Sequence, residues 1–144
     1  MPRVLVADPI ADAGVDRLRR HAQVDVQLRQ TPADLRARIA DYEALVVRSE
    51  TRVTAEIIEA GTRLKVIGRA GAGVDNIDVA SATRAGVLVV NAPSGNTIAA
   101  AEHTMAMMLA LARHLPQADR AVKAGPWGRS RVLGTARRDK VTGR

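Results

Sequence analysis

Short apolar runs alternate along this chain with segments of helical periodicity. Residues 4–6, 24–28, 44–47, 64–67 and 87–90 are apolar runs of strand length, too short for helices of their own. Between them, residues 13–18, 32–39, 54–60 and 79–85 carry apolar side chains at helical spacing. The alternation predicts repeated βαβ units, and hence an α/β fold: an open parallel sheet of five strands with helices on both faces. Local punctuation agrees. Thr31, Pro32 and Asp34 supply an N-cap, a first-turn proline and a first-turn carboxylate, while Gly61 and Gly86 fall where left-handed residues end helices.

Beyond Asn96 the pattern changes. Residues 97–112 include Ile98, Ala101, Met105, Met108, Leu109 and Ala112 and carry no charge beyond Glu102. This predicts a long, mostly buried helix with Met105, Met107 and Met108 as core filler. Its uncharged part falls short of the roughly 20 residues that a bilayer span needs. Pro116 is expected to break this helix, and Pro126 and Gly128 bracket Trp127. From Gly134 onward no core-forming period is visible. The chain therefore divides into an alternating α/β segment, 1–96; a helical segment, 97–125; and an irregular basic tail, 126–144.

Composition sharpens this picture in three ways. With no Phe, one Trp and one Tyr in 144 residues, the core has to be aliphatic, as suits a sheet covered by helices. The absence of Cys excludes disulfides, thiolate metal sites and cysteine catalysis. The net charge of +7 resides wholly in residues 113–144, which hold 9 basic and 2 acidic side chains, whereas residues 1–112 hold 13 of each. A balanced body with a basic end lacking interleaved aromatics does not point to nucleic acid. Met1 leads straight into the first strand without a basic region and long apolar stretch, so the expectation is a cytoplasmic protein that engages no membrane.

In an open parallel sheet, ligands bind outside the carboxyl ends of the strands. The segments leaving those ends are Asp8 and Pro9, residues 48–51, residues 68–73 and residues 91–96. The third is the most informative: Gly68, Arg69, Ala70, Gly71, Ala72 and Gly73 put three glycines and a cation into one turn, where bare amides from Gly71 to Val74 can approach an anion. Arg48 leaves the neighbouring strand on the same edge. Two guanidiniums facing one crevice suit a ligand with two anionic ends, since each can grip a carboxylate or phosphate bidentately. The competing reading pairs Arg48 with Glu50 and Arg69 with Asp75 as ordinary surface charges. Asn96 can cap the following helix or point at the ligand. His21, His103 and His114 are scattered, without metal-ligand spacing, and read as structural.

Residues 4–9, 46–51, 68–78 and 91–97, with Ala101 and Glu102, together resemble the D-isomer-specific 2-hydroxyacid dehydrogenases. That resemblance implies a flavodoxin-like substrate-binding domain segment over 1–96, with 97–125 the connecting helix, its long part residues 97–112, and the start of an inserted Rossmann domain that binds NAD. It implies that Arg48 and Arg69 hold a substrate phosphate, that the backbone from Ala70 to Gly73 and Asn96 lie against the substrate, and that Ala72 meets the nicotinamide side through backbone or van der Waals contact alone. The substrate implied is a phosphorylated 2-hydroxy acid, 3-phosphoglycerate, oxidised to 3-phosphohydroxypyruvate on the route to serine. Family members are homo-oligomers. Their Gly-x-Gly-x-x-Gly loop and catalytic Arg, Glu and His have no counterpart in these 144 residues, so the chain alone is expected not to turn over. Two other readings stay open: a stand-alone module that captures a phosphorylated carboxylate, and a non-functional fragment with an open sheet edge and exposed Met and Leu.

Overall fold

The structure, a computed structural model, describes residues 1–125; residues 126–144, including Trp127 and most of the basic tail, lie outside the described residues. The described residues form two units, Met1–Asn96 and a second that begins at Thr97.

The first unit is built on five parallel strands, β1 (Arg3–Val6), β2 (Gln23–Val26), β3 (Ala44–Val47), β4 (Val66–Arg69) and β5 (Leu88–Asn91), in the order β2-β1-β3-β4-β5. This is the flavodoxin-like doubly wound order, whose topological switch lies between β1 and β3. Helices α1 (Asp12–Arg19), α2 (Pro32–Arg38), α3 (Ala55–Ala60) and α4 (Val79–Arg84) occupy the crossovers.

Alternation along the strands creates two unequal cores. Val4 and Val6 pack with Leu18 and Ala22 on the α1 face. Leu5, Leu45, Val47 and Ile67 point the other way and meet Leu35, Ile57, Ile58 and Ala82 from α2, α3 and α4. Each fully buried aliphatic side chain contributes about 1.5–3 kcal/mol, so the second, larger cluster dominates stability. The register places Leu88 and Val90 on the α1 face, beyond that helix, and Leu88 stays 61% exposed.

Local chemistry explains where the elements begin and end. Thr31 and Asp34 form a reciprocal capping box at α2, the Asp34 N–H donating to the Thr31 hydroxyl at 3.2 Å and the Thr31 N–H to the Asp34 carboxylate at 3.3 Å. After α2 the chain tightens into a 3-10 turn, Ile39–Asp41, instead of continuing as α-helix to Ile39. Gly86 adopts the expected left-handed conformation, φ +71°. Gly61 does not: its φ is −78°, and the need for glycine arises instead because a Cβ there would come within 2.9 Å of the Leu64 Cβ. The Leu64 N–H closes this turn onto the Gly61 carbonyl at 2.9 Å, and β4 accordingly starts at Val66 rather than Leu64.

The second unit contains α5 (Thr97–Ala112) and α6 (Leu115–Lys123), joined through His114 in a left-handed conformation, φ +51°. Pro116 sits in the first turn of α6, where its missing N–H costs nothing, so it opens a second helix as well as following the first. The expectation that α5 is mostly buried is corrected: none of its residues is buried, Leu111 is 76% exposed, and Met105, Met107 and Met108 are exposed rather than core filler. Its apolar residues lie all round the circumference, so no single face could bury them against one neighbour. No helix among the described residues is long and apolar enough to cross a membrane.

Arg3, Asp25 and Tyr42 form a polar cluster in the first unit. Arg3 Nη2 donates to Asp25 at 3.0 Å, Tyr42 Oη donates to the same carboxylate at 2.8 Å, and the guanidinium stands 4.6 Å from the Tyr42 ring centroid. The tyrosine hydroxyl first, and Arg3 second, hold the Asp25 carboxyl below the usual carboxylate range. A carboxyl depressed on folding stabilises the protein above its unfolded-state pKa, and that stability disappears as the pH falls through the folded-state value. Asp25→Asn should therefore lower the thermal midpoint at pH 7 and flatten its decline between about pH 5 and pH 2; an acid limb identical to wild type would contradict this assignment.

Candidate functional site

Asp8 ends the apolar run of β1 and is buried, 2% exposed. A carboxylate in that position must have its oxygens satisfied. It accepts the backbone N–H of Arg48 at 2.6 Å and of Thr51 at 3.1 Å, and also the Thr51 hydroxyl. These bonds curl residues 48–51 over the end of β1 and carry Arg48 to the surface, where its Nη1 reaches only the Pro9 carbonyl at 3.4 Å.

On the next strand, the pairing of Val47 with Arg69 brings Arg69 beside that turn. The Ala70 N–H continues the ladder to the Val47 carbonyl at 2.8 Å, after which the Gly71 N–H folds back to the Arg69 carbonyl at 2.9 Å. The Arg69 side chain is 11% exposed. Its Nε donates to Asn76 Oδ1 at 2.8 Å, and its Nη2 lies 3.6 Å from the Asp75 carboxylate. Asn76 in turn donates through Nδ2 to the carbonyls of Arg48 at 2.7 Å and Thr51 at 2.6 Å. Asn91 Nδ2 supports the glycine turn at the Ala72 carbonyl, 2.6 Å, and the Ala92 N–H donates to the Gly71 carbonyl at 3.0 Å.

Together these elements enclose a concavity of about 340 Å³ lined by Arg48, Ser49, Arg69, Ala70, Gly71, Ala72, Gly73 and Asn96. Every site residue expected from the sequence borders it. One expectation about its chemistry needs correction. The Gly71 amide is not bare, since it closes a tight turn; the amides of Ala72, Gly73 and Val74 are the ones with no acceptor among the described residues. The glycines of this turn do not adopt left-handed backbone, because the described glycines with positive φ are Gly86 and Gly125. They serve close approach: a Cβ at position 71 would fall 2.6 Å from Arg69 Nη1, and one at position 73 would fall 2.8 Å from the Asp75 carboxylate. Of the competing surface pairs, Arg69 does face Asp75, which is 85% exposed, whereas Arg48 makes no pair with Glu50 among the described residues.

Asp8, Asn76 and Asn91 hold the site, yet sequence reasoning did not single them out. An acid directly following the apolar run Val4 to Ala7 was the available signal for Asp8. Asn76 and Asn91 act through contacts with backbone far along the chain, which no local spacing encodes.

The described residues do not fit a dinucleotide. A pyrophosphate seat needs a glycine-rich turn that opens directly onto a helix N-terminus. Here the turn runs on through residues 74–77 to a six-residue helix, whose N-terminus is already capped by the Asp78 carboxylate accepting the Ser81 N–H at 2.9 Å. No cluster of His, Asp or Glu among the described residues could hold a metal ion.

A parallel sheet in this order, with a glycine turn and two arginines at its carboxyl edge, defines a doubly wound α/β domain. Residues 4–137 match the profile of the D-isomer specific 2-hydroxyacid dehydrogenases, catalytic domain, and the chain belongs to that family. Among its curated relatives are D-3-phosphoglycerate dehydrogenases of Synechocystis sp., 52% identical over 99% of this chain, and of Archaeoglobus fulgidus, 51% identical over 98% of it. The chain spans only 26% and 27% of those two proteins. Among solved structures, an NAD+-bound 3-phosphoglycerate dehydrogenase from Entamoeba histolytica is similar with a TM-score of 0.68 and 32% identity, over 78% of this chain and 39% of that one. A protein from Thermus thermophilus is similar with a TM-score of 0.81 and 33% identity, over 92% of this chain and 44% of its own.

The clamp on residues 48–51 is testable without ligand. Asp8→Ala leaves two amides and a hydroxyl without their acceptor and should cost about 3 kcal/mol of stability, read from the urea midpoint. A loss below about 0.5 kcal/mol, the size of an ordinary surface change, would contradict the clamp.

Proposed function

We propose that this chain supplies the substrate-binding half of an NAD-dependent D-2-hydroxyacid dehydrogenase and that its ligand is a phosphorylated 2-hydroxy acid, 3-phosphoglycerate, which the whole enzyme oxidises to 3-phosphohydroxypyruvate. The observation that carries this reading is the pair of guanidiniums, Arg48 and Arg69, bordering one concavity that also offers the free amides of Ala72 and Gly73. The names of the relatives, D-3-phosphoglycerate dehydrogenase, support it.

In this reading Arg48 and Arg69 hold the phosphate. The amides of Ala72 and Gly73 receive the carboxylate, and the Asn96 side chain adds a hydrogen bond at the rim. NAD would supply the hydride acceptor to the whole enzyme, and Ala72 would face its nicotinamide side by van der Waals contact alone. The residues of this chain bind and orient. None of the three histidines lines the concavity, so no imidazole here is in place to take the hydroxyl proton, and binding without turnover is the expected behaviour of the 144 residues.

Residues 97–112 act as the helix that connects to a dinucleotide domain. The exposed apolar circumference of α5 supports this, and it favours an incomplete half-site over a self-sufficient capture module.

Calorimetric titration of the chain with 3-phosphoglycerate tests the reading. Hydrogen bonds to charged groups contribute about 1.5–3 kcal/mol, so Arg69→Ala should weaken binding at least about tenfold, and D-glycerate, lacking the phosphate, should bind at least as poorly. Equal affinities for the two ligands, or an Arg69→Ala variant that binds like wild type, would overturn it.

A further inference from the structure

Asn76 is buried, and both polar atoms of its side chain are committed to the frame of the site. Its Oδ1 accepts from Arg69, its Nδ2 donates to the carbonyls of Arg48 and Thr51, and its own carbonyl accepts the Val53 N–H at 2.8 Å. We infer that Asn76 is the positioning residue of the two-arginine clamp, fixing the Arg69 guanidinium and the turn that bears Arg48 as one unit. The inference rests on the reading of this concavity as a substrate site.

Donor and acceptor inventory decides which side chain can do this. The position calls for one acceptor toward a guanidinium and two donors toward carbonyls from a single short planar group, which a carboxamide provides. Aspartate would keep the acceptor but set a negative oxygen against two carbonyl oxygens; alanine would keep neither. With Nε taken up by Asn76, the Nη1 and Nη2 edge of Arg69 is the one turned to an anion, and its Nη2 also faces the exposed Asp75 carboxylate at 3.6 Å. Arg48 is held differently. Its side chain is exposed, but its peptide N–H is fixed by Asp8 and its carbonyl by Asn76. One side chain therefore reaches both cations: the guanidinium of Arg69 and the backbone of Arg48.

The test compares the wild-type chain with Asn76→Ala, Arg69→Lys and the double variant, reading 3-phosphoglycerate affinity by calorimetry and the exchange of the Arg69 Nε–H by NMR. Asn76→Ala should weaken binding at least about tenfold and make the Arg69 Nε–H exchange fast. Because Asn76 works partly through Arg69, the double variant should bind distinctly better than the product of the two single losses predicts. A folded Asn76→Ala that binds like wild type, or losses that multiply in full, would overturn the inference. If Asn76→Ala does not fold, Asn76→Asp takes its place: it should weaken binding at least about tenfold while the retained acceptor keeps the Arg69 Nε–H protected, and wild-type affinity would again overturn the inference. A wild-type chain that takes up no 3-phosphoglycerate defeats the functional reading alone. The positioning role is then judged on the Nε–H, and its continued protection in Asn76→Ala overturns it.

Discussion

A carboxylate buried at the end of β1 must be satisfied, and the way Asp8 is satisfied shapes the carboxyl edge of the sheet. It draws in two amides and a hydroxyl from residues 48–51 and so closes the turn after β3. The outward-facing carbonyls of that turn become acceptors for Asn76, and Asn76 holds Arg69. Three strand ends that share no local sequence are thereby joined in one polar chain of contacts. Because parallel strands place all these ends on one edge, a single buried acid can organise them.

The two arginines that result differ in physical character. Arg69 is largely buried and held at Nε, so little conformational freedom remains for a ligand to remove. Arg48 is exposed and long-armed, with only its backbone fixed. In the reading proposed for it, a site with one rigid and one adaptable cation would fix the orientation of an anion while tolerating some variation in its reach. The glycines contribute by leaving room: side chains at positions 71 and 73 would press against Arg69 and Asp75.

Much of this was legible in the sequence where the cause is local. Residues 44–47 form β3 as expected, the capping box follows from Thr31 and Asp34, and alternation of strands and helices yields the parallel sheet. Arg48, Arg69 and the glycine turn meet because strand-end segments of a parallel sheet must do so. What escaped depends on distant partners. The start of β4 was displaced by the packing of Leu64 on Gly61, and Asn76 and Asn91 are tied to backbone tens of residues away or in neighbouring loops. The exposure of α5 escaped for a different reason: apolar periodicity states that a helix must be covered, and does not say by what. Leu88 and Val90 on β5 carry the same message, and both fit a domain that spans about a quarter of the relatives it matches.

In the reading proposed for it, one edge of this sheet is a preformed seat for a phosphorylated hydroxy acid. Amide chemical-shift mapping of the labelled chain during addition of 3-phosphoglycerate tests this most directly. A preformed seat predicts saturable shifts concentrated at Arg48, Ser49, Arg69 through Val74 and Asn96, with β2 and the amino ends of the strands unmoved. Shifts confined to other surfaces, or none in a folded sample, would contradict it.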